Sequence, residues 1–229
     1  MKKLLSALFL SFSLAILPNS SQAVDMSASI GVGAMEGGYY GYGTERNGSN
    51  GATAVNAHSS DGGSTSEGGA FTDSTPVVFA ELNLGDNMSV GVEFAVDDIE
   101  TPTNTNAQVD GGSSKTNTAQ ASFSDLTTVY IQGRLIGGLY SKIMYHNVNV
   151  VTNESLGTGG TYPDREIEGL GLGLGWQQDF DDMGLFVRAE VSASAYESVK
   201  AVNSTDASKE ITVTDLYGAQ ATIKIGKSF

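Results

Sequence analysis

The sequence contains no cysteine. Disulfide bonds and thiolate metal sites are therefore excluded, as is any lipid anchor carried on a cysteine behind an export signal. Basic residues are also scarce, with 12 Lys and Arg against 26 Asp and Glu. So acidic a chain cannot neutralise a phosphate backbone, which excludes nucleic-acid binding. Past Ala23 no apolar run reaches the ~20 residues that a membrane-spanning helix needs. That absence leaves β-barrels untouched, because their strands carry a much weaker, alternating signal. The sequence has no HExxH motif, no phosphate-cradling glycine loop and no cluster with metal-ligand spacing. No cofactor and no metal are expected.

What is present begins with an export pattern. Met1-Lys2-Lys3 precedes an apolar run from Leu4 to Leu17, followed by Pro18-Asn19-Ser20-Ser21-Gln22-Ala23. A positive start, a short apolar core and a small-residue exit describe a cleaved secretory signal. The expected division is residues 1–23 as signal peptide and 24–229 as the mature chain. Without Lys2 and Lys3, ten basic residues remain against 26 acids, a net charge of −16.

The mature sequence alternates between two textures. Polar stretches rich in Gly, Ser, Thr, Asn and Asp separate segments with an apolar residue at every second position, the mark of a strand with one apolar face. The first such segment runs from Met26 to Tyr39, with Met26, Ala28, Ile30, Val32 and Ala34 on one side. The second holds Val78, Ala80, Leu82 and Leu84, and the third Met88, Val90, Val92, Phe94 and Val96. A fourth carries Val129, Ile131 and Leu135, and a fifth Leu139, Ile143 and Tyr145. The sixth reads Leu170, Leu172, Leu174, Trp176; the seventh Leu185, Val187, Ala189, Val191, Ala193; the eighth runs from Ile211 to Phe229. Their connections alternate. Gly43–Ser74, Asp97–Gln120, Asn153–Asp164 and Lys200–Lys209 are long, whereas Gly85-Asp86-Asn87, Gly137-Gly138 and Asp179–Asp182 are short turns. An even strand number with all long loops at one end predicts a closed up-and-down antiparallel transmembrane β-barrel of about eight strands, with short periplasmic turns and long extracellular loops.

The other face decides between lipid and water outside. It carries Glu81, Glu93 and Glu190 beside Arg134, Lys142, Arg188 and Lys224, among many small residues. Turned toward lipid, a mid-depth Arg or Lys costs ~2–4 kcal/mol; turned inward, these seven pair as a lumen charge network. The ladder Gly169, Gly171, Gly173, Gly175 predicts a close approach on that face by long side chains crossing the lumen. The alternative is a soluble lipocalin-like barrel or sandwich with the apolar face inside. Aromatic residues gather at strand ends like interfacial girdles: Trp176, Phe180 and Phe229 at the short turns, Tyr39, Tyr40, Tyr42 and Tyr217 toward the long loops.

The last strand places Tyr217, Ala219, Ala221, Ile223, Ile225 and Phe229 on one parity and ends in an aromatic residue. This resembles the assembly signature of bacterial outer-membrane barrels, represented here by Tyr217, Ile223, Ile225 and Phe229. Over the mature chain the layout is similar to small eight-stranded outer-membrane proteins of the opacity or surface-antigen type, often described as porin-family, and to OmpA-like membrane domains. The resemblance implies the outer membrane as location, outer-membrane lipid and the barrel assembly machinery as partners, and a plugged or very narrow lumen.

Three functions then compete. The first is a structural or surface-interaction barrel whose loops meet an extracellular ligand; the second is a narrow porin for small solutes or ions; the third is a lipid-modifying enzyme. Of the two histidines, His58 lies in a polar loop and His146 points into the lumen by parity. Glu154 and Ser155 are near His146 in sequence without a catalytic spacing. The pairs Asp97-Asp98 and Asp181-Asp182 read as solvated turn residues rather than cation ligands. Enzymatic activity is not expected.

Overall fold

A computed structural model describes residues 25–47, 53–54, 63–110, 113–157, 159–180 and 183–229. The expected signal peptide, His58 and the Asp181-Asp182 pair lie outside them. Everything regular is strand: β1 (Met26–Asn47), β2 (Thr53–Ala54), β3 (Gly63–Leu84), β4 (Met88–Ala95), β5 (Ile99–Glu100), β6 (Asn104–Asp110), β7 (Ser113–Ile136), β8 (Leu139–Leu156), β9 (Arg165–Phe180), β10 (Leu185–Tyr196), β11 (Val199–Val202) and β12 (Glu210–Ser228).

Eight of these close a ring. The order β1-β3-β4-β7-β8-β9-β10-β12 returns to β1, which pairs antiparallel with both β3 and β12. The register fixes its dimensions. Stepping from partner to partner, Ala28 leads through Leu82, Val90, Ile131, Ile143, Leu172, Ala193 and Ala219 back to β1 at Gly38, ten residues further along. Ten residues at ~3.3 Å against eight strands spaced ~4.8 Å apart tilt the strands by about 40° and set a radius of about 8 Å. Side chains fill a cylinder of that width.

The short turns are tight. Gly85 and Gly137 supply left-handed backbone there, at φ +66° and +57°, conformations that a β-carbon disfavours. The long connections differ from expectation. The stretches Gly43–Ser74 and Asp97–Gln120 were expected as polar loops, yet β1 continues to Asn47, β3 starts at Gly63, and β7 starts at Ser113 with β6 and β5 along it. At the fourth connection, β11 adds to β12. Hairpin arms that extend past the ring need only backbone pairing, so no alternating apolar pattern marks them.

Two irregularities shape the loop-side end. Register slips between Ser124 and Thr127 on β7, and opposite Tyr40/Tyr42 on β12. Asp125 and Asp215 occupy left-handed φ values of 55° and 51°. Each is the first residue of a bulge, each follows Ser or Thr, and each is followed by a leucine, Leu126 or Leu216. β7 and β12 stand diametrically opposite in the ring.

Candidate functional site

Inward residues are stacked in layers. From the short turns upward, β7 contributes Arg134, Gln132, Tyr130, Thr128 and Leu126, while β8 contributes Tyr140, Lys142, Met144, His146 and Val148. The lowest layer is a polar cup, the next is charged, the third carries hydroxyls and His146, and the last is apolar.

The charged layer contains six of the seven residues expected. Arg188 on β10 reaches Glu81 on β3 as a two-pronged pair, Nη1 to Oε1 and Nη2 to Oε2, the latter at 2.7 Å. Arg188 Nε donates to Gln177 Oε1 at 2.6 Å, and Tyr130 Oη donates to Glu81 Oε1 at 2.7 Å. Above this clamp, Lys142 and Lys224 share Glu190 and Glu93. Lys142 Nζ lies 3.1 Å from Glu190 Oε1 and 3.7 Å from Glu93 Oε2. Lys224 Nζ bonds Glu93 directly and sits 3.5 Å from Glu190. Tyr140 Oη donates to Glu190 at 3.0 Å, and the Lys142 ammonium stands 3.8 Å from the Tyr130 ring centre. Lys142 and Lys224 are only 2% and 1% exposed. Buried charge is tolerated only when paired and hydrogen-bonded, and three acids against three bases make this layer neutral.

Arg134 corrects the expectation. Its parity is inward, but it lies two residues from the short-turn end of β7, with its side chain 36% exposed, and pairs with Asp179 at 3.0 Å. A side chain so near the strand end finds solvent and a turn carboxylate before it finds the network.

Glycines make room for the aromatics. Tyr130 stands opposite Gly91, Tyr140 opposite Gly175, Phe79 opposite Gly31 and Phe186 opposite Gly226. A β-carbon at any of these glycines would intrude on the facing ring. The β9 ladder works the same way: Tyr196 lies by Gly169, His146 and Ser194 by Gly171, Lys142 by Gly173 and Tyr140 by Gly175. The expected long side chains are present, but they come from the adjacent strands β8 and β10 and lie across β9.

His146 holds two hydroxyls, Thr128 Oγ1 on Nδ1 and Ser194 Oγ on Nε2, each at 2.9 Å. Above it the lumen turns apolar. Met35, Val77, Ile99, Leu126, Val148, Ile167 and Leu216 form one buried cluster, flanked by Tyr39, Phe71, Phe123 and Tyr196. Tyr39, expected in the outer girdle, is part of this layer and stacks on Phe71 at 5.3 Å, because its parity is that of Met35.

The outer wall is the reverse of a soluble surface. Leu172 is 66% exposed and Ile223 67%, and Ile30, Val32, Leu82, Ile143, Leu174 and Val191 are likewise open. From Leu170 to Phe180 this wall spans ten residue steps, and at a tilt of about 40° the apolar band is about 25 Å tall. Trp176, Phe180 and Phe229 edge it at the short turns, and Tyr40, Tyr42 and Tyr217 toward the arms. Water does not sustain an exposed apolar belt of this extent; hydrocarbon does.

The chain is a transmembrane β-barrel.

No protein-family model matches the chain, and no curated protein matches its sequence. Among solved structures, the barrel is similar to the outer membrane protein OprG from Pseudomonas aeruginosa, at 13% identity and TM-score 0.45, covering 87% of this chain and 96% of that one. It is also similar to Ail, the attachment invasion locus protein of Yersinia pestis, at 10% identity and TM-score 0.38, covering 87% and 99%. A third is the outer membrane protease OmpT from Escherichia coli, at 9% identity and TM-score 0.42, covering 92% and 100%.

Sequence reasoning missed part of the barrel's interior. Tyr130 and Tyr140 carry the inward parity, but alternation does not show that their hydroxyls donate to the carboxylates of Glu81 and Glu190. Leu126 and Leu216 were hidden by their bulges. The repeated Ser/Thr-Asp-Leu was the available signal.

Proposed function

We propose that this barrel is an outer-membrane surface protein whose lumen is a closed plug and whose long-loop arms meet the surroundings. The observation that carries the reading is a double closure in series. The ion-paired layer of Glu81, Glu93, Lys142, Arg188, Glu190 and Lys224 fills the lower lumen, and the apolar layer around Leu126 and Leu216 lies above it. An ion entering the apolar layer sheds water and finds no replacement ligand, as at a hydrophobic constriction. The narrow-pore reading would need both layers to rearrange together. Purified protein in a planar bilayer is the test: the plug predicts no resolvable channel steps, and steady steps overturn it.

The same geometry argues against an enzyme. The His146 Nδ1 meets the Thr128 hydroxyl where an orienting carboxylate would be needed, and His146 and Ser194 are both buried in the lumen, away from lipid. Incubation with phospholipid or lipid A should leave the acyl chains unaltered. Lipid contacts the belt on this reading, with the short turns on the periplasmic side and the arms outside. Tyr217, Ile223 and Ile225 share the exposed outer face of β12, and Phe229 follows it on the same parity, also exposed, a disposition suited to recognition by the assembly machinery after residues 1–23 have directed export. A ligand for the arms would meet a predominantly acidic surface.

A further inference from the structure

We propose that the short-turn end of the lumen is a binding cup for a small neutral polyol, about one sugar ring in size, reached from the periplasmic side. The cup is a cavity of about 280 Å³, at the lower limit of the ~300–1,000 Å³ of small-molecule sites. The clamped guanidinium of Arg188 closes its floor, so an occupant cannot pass upward.

Its two walls differ. On one, Asn83 Nδ2 donates to the hydroxyls of Ser27 and Ser29 at 2.9 Å each, and Ser29 bonds Ser228 at 2.9 Å. That wall is internally satisfied. On the other, Ser89 and Gln132 face each other across β4 and β7. Gln132 is 7% exposed, and its Oε1 has no hydrogen-bond partner among the described residues. A buried carbonyl oxygen without a donor is costly, and a ligand hydroxyl would supply the donor.

Charge and lining narrow the ligand class. Arg188 is neutralised by Glu81 and Arg134 by Asp179, and the remaining carboxylate of Asp86 lies exposed at the turn, so nothing in the cup selects an anion. Among the described residues no aromatic side chain lines it, which leaves a flat aromatic ligand without a stacking platform. Serine hydroxyls and Asn and Gln amides, each able to donate or accept, suit a ligand made of hydroxyls.

The test is glucose titration of the full barrel in lipid nanodiscs, followed by saturation transfer to the sugar and by the side-chain amide signal of Gln132. Saturable binding in the millimolar range is expected. Gln132→Leu should weaken it about tenfold and Ser89→Ala should weaken it measurably, with heat-modifiable migration confirming that each variant is folded. Glutamate, lysine and benzyl alcohol should not compete. The proposal is overturned if about 0.1 M glucose leaves the Gln132 signal unmoved, if a charged competitor binds more tightly than glucose, or if folded Gln132→Leu and Ser89→Ala both bind glucose unchanged.

Discussion

Arg188 on β10 grips Glu81 on β3 across the lumen, with β1 and β12 lying between them around the wall. The pair therefore braces the cylinder instead of reinforcing one hairpin. Removing a single partner leaves a buried, uncompensated charge. Arg188→Ala should destabilise the folded barrel by about 3–5 kcal/mol, read as a shift in urea-induced unfolding from lipid vesicles. Glu81→Gln combined with Arg188→Met should lose less than Arg188→Ala alone. Arg134→Ala, which breaks only a rim pair, should cost at most about 1 kcal/mol.

Two closures in series make a distinctive prediction for conductance. Arg188→Ala alone should stay silent in a planar bilayer, because the apolar layer still blocks ions. Leu126→Ala with Leu216→Ala alone should stay silent as well. The triple variant should conduct. Channel steps from Arg188→Ala by itself would show that the apolar layer seals nothing.

The ring of Tyr140 occupies the space above Gly175, and its hydroxyl serves Glu190. Gly175→Ala should push the ring aside and destabilise by about 1–3 kcal/mol. Adding Tyr140→Phe should make the glycine substitution no easier, whereas Tyr140→Ala should absorb much of its cost. Unfolding of the six proteins in two double-mutant cycles, which share wild type and Gly175→Ala, measures that coupling.

Leu172 is open to the surroundings at the middle of the belt. Leu172→Arg should cost about 2–4 kcal/mol for insertion into a bilayer, measured by reversible folding into vesicles. A substitution that leaves insertion unaffected would mean that this face does not touch hydrocarbon.

Beyond the belt, Glu210 is held below its usual carboxylate range, first by the hydrogen bond from Lys200 and then by the charge of Arg46. A depressed folded value means the stabilisation is present above the unfolded pKa and fades as pH falls through the folded one. Protection factors of the amides of β11 and the start of β12, with the intrinsic pH dependence of exchange divided out, should therefore be lower below about pH 4 than at pH 6. Glu210→Gln should abolish that difference, and high salt should diminish it.

How much of this was legible depended on whether the bilayer constrained the residue. Wherever a strand crosses hydrocarbon, lipid forces one parity to be apolar. Val90, Ile143 and Leu172 therefore announced both their strands and the ring of eight, and Glu81, Lys142 and Arg188 announced the inside. Above the belt that constraint ends. The arm from Ser113 to Gln120 reads as loop because paired backbone needs no apolar partner there. Parity also carries no depth, which is why Arg134 read as a member of the network although it sits at the rim. The bulges at Asp125 and Asp215 change phase mid-strand, a shift that alternation alone does not reveal.

Ser29 and Ser228 touch although 199 positions separate them. The wall thus has no free edge only after the final strand has met the first, and until then both present bare backbone donors and acceptors that oil cannot satisfy. Closure is the most non-local event available to this chain, so it is expected to be slow and to need shelter while it waits. Partial insertion is not a stable stopping point: the cylinder either zips shut or stays outside the hydrocarbon.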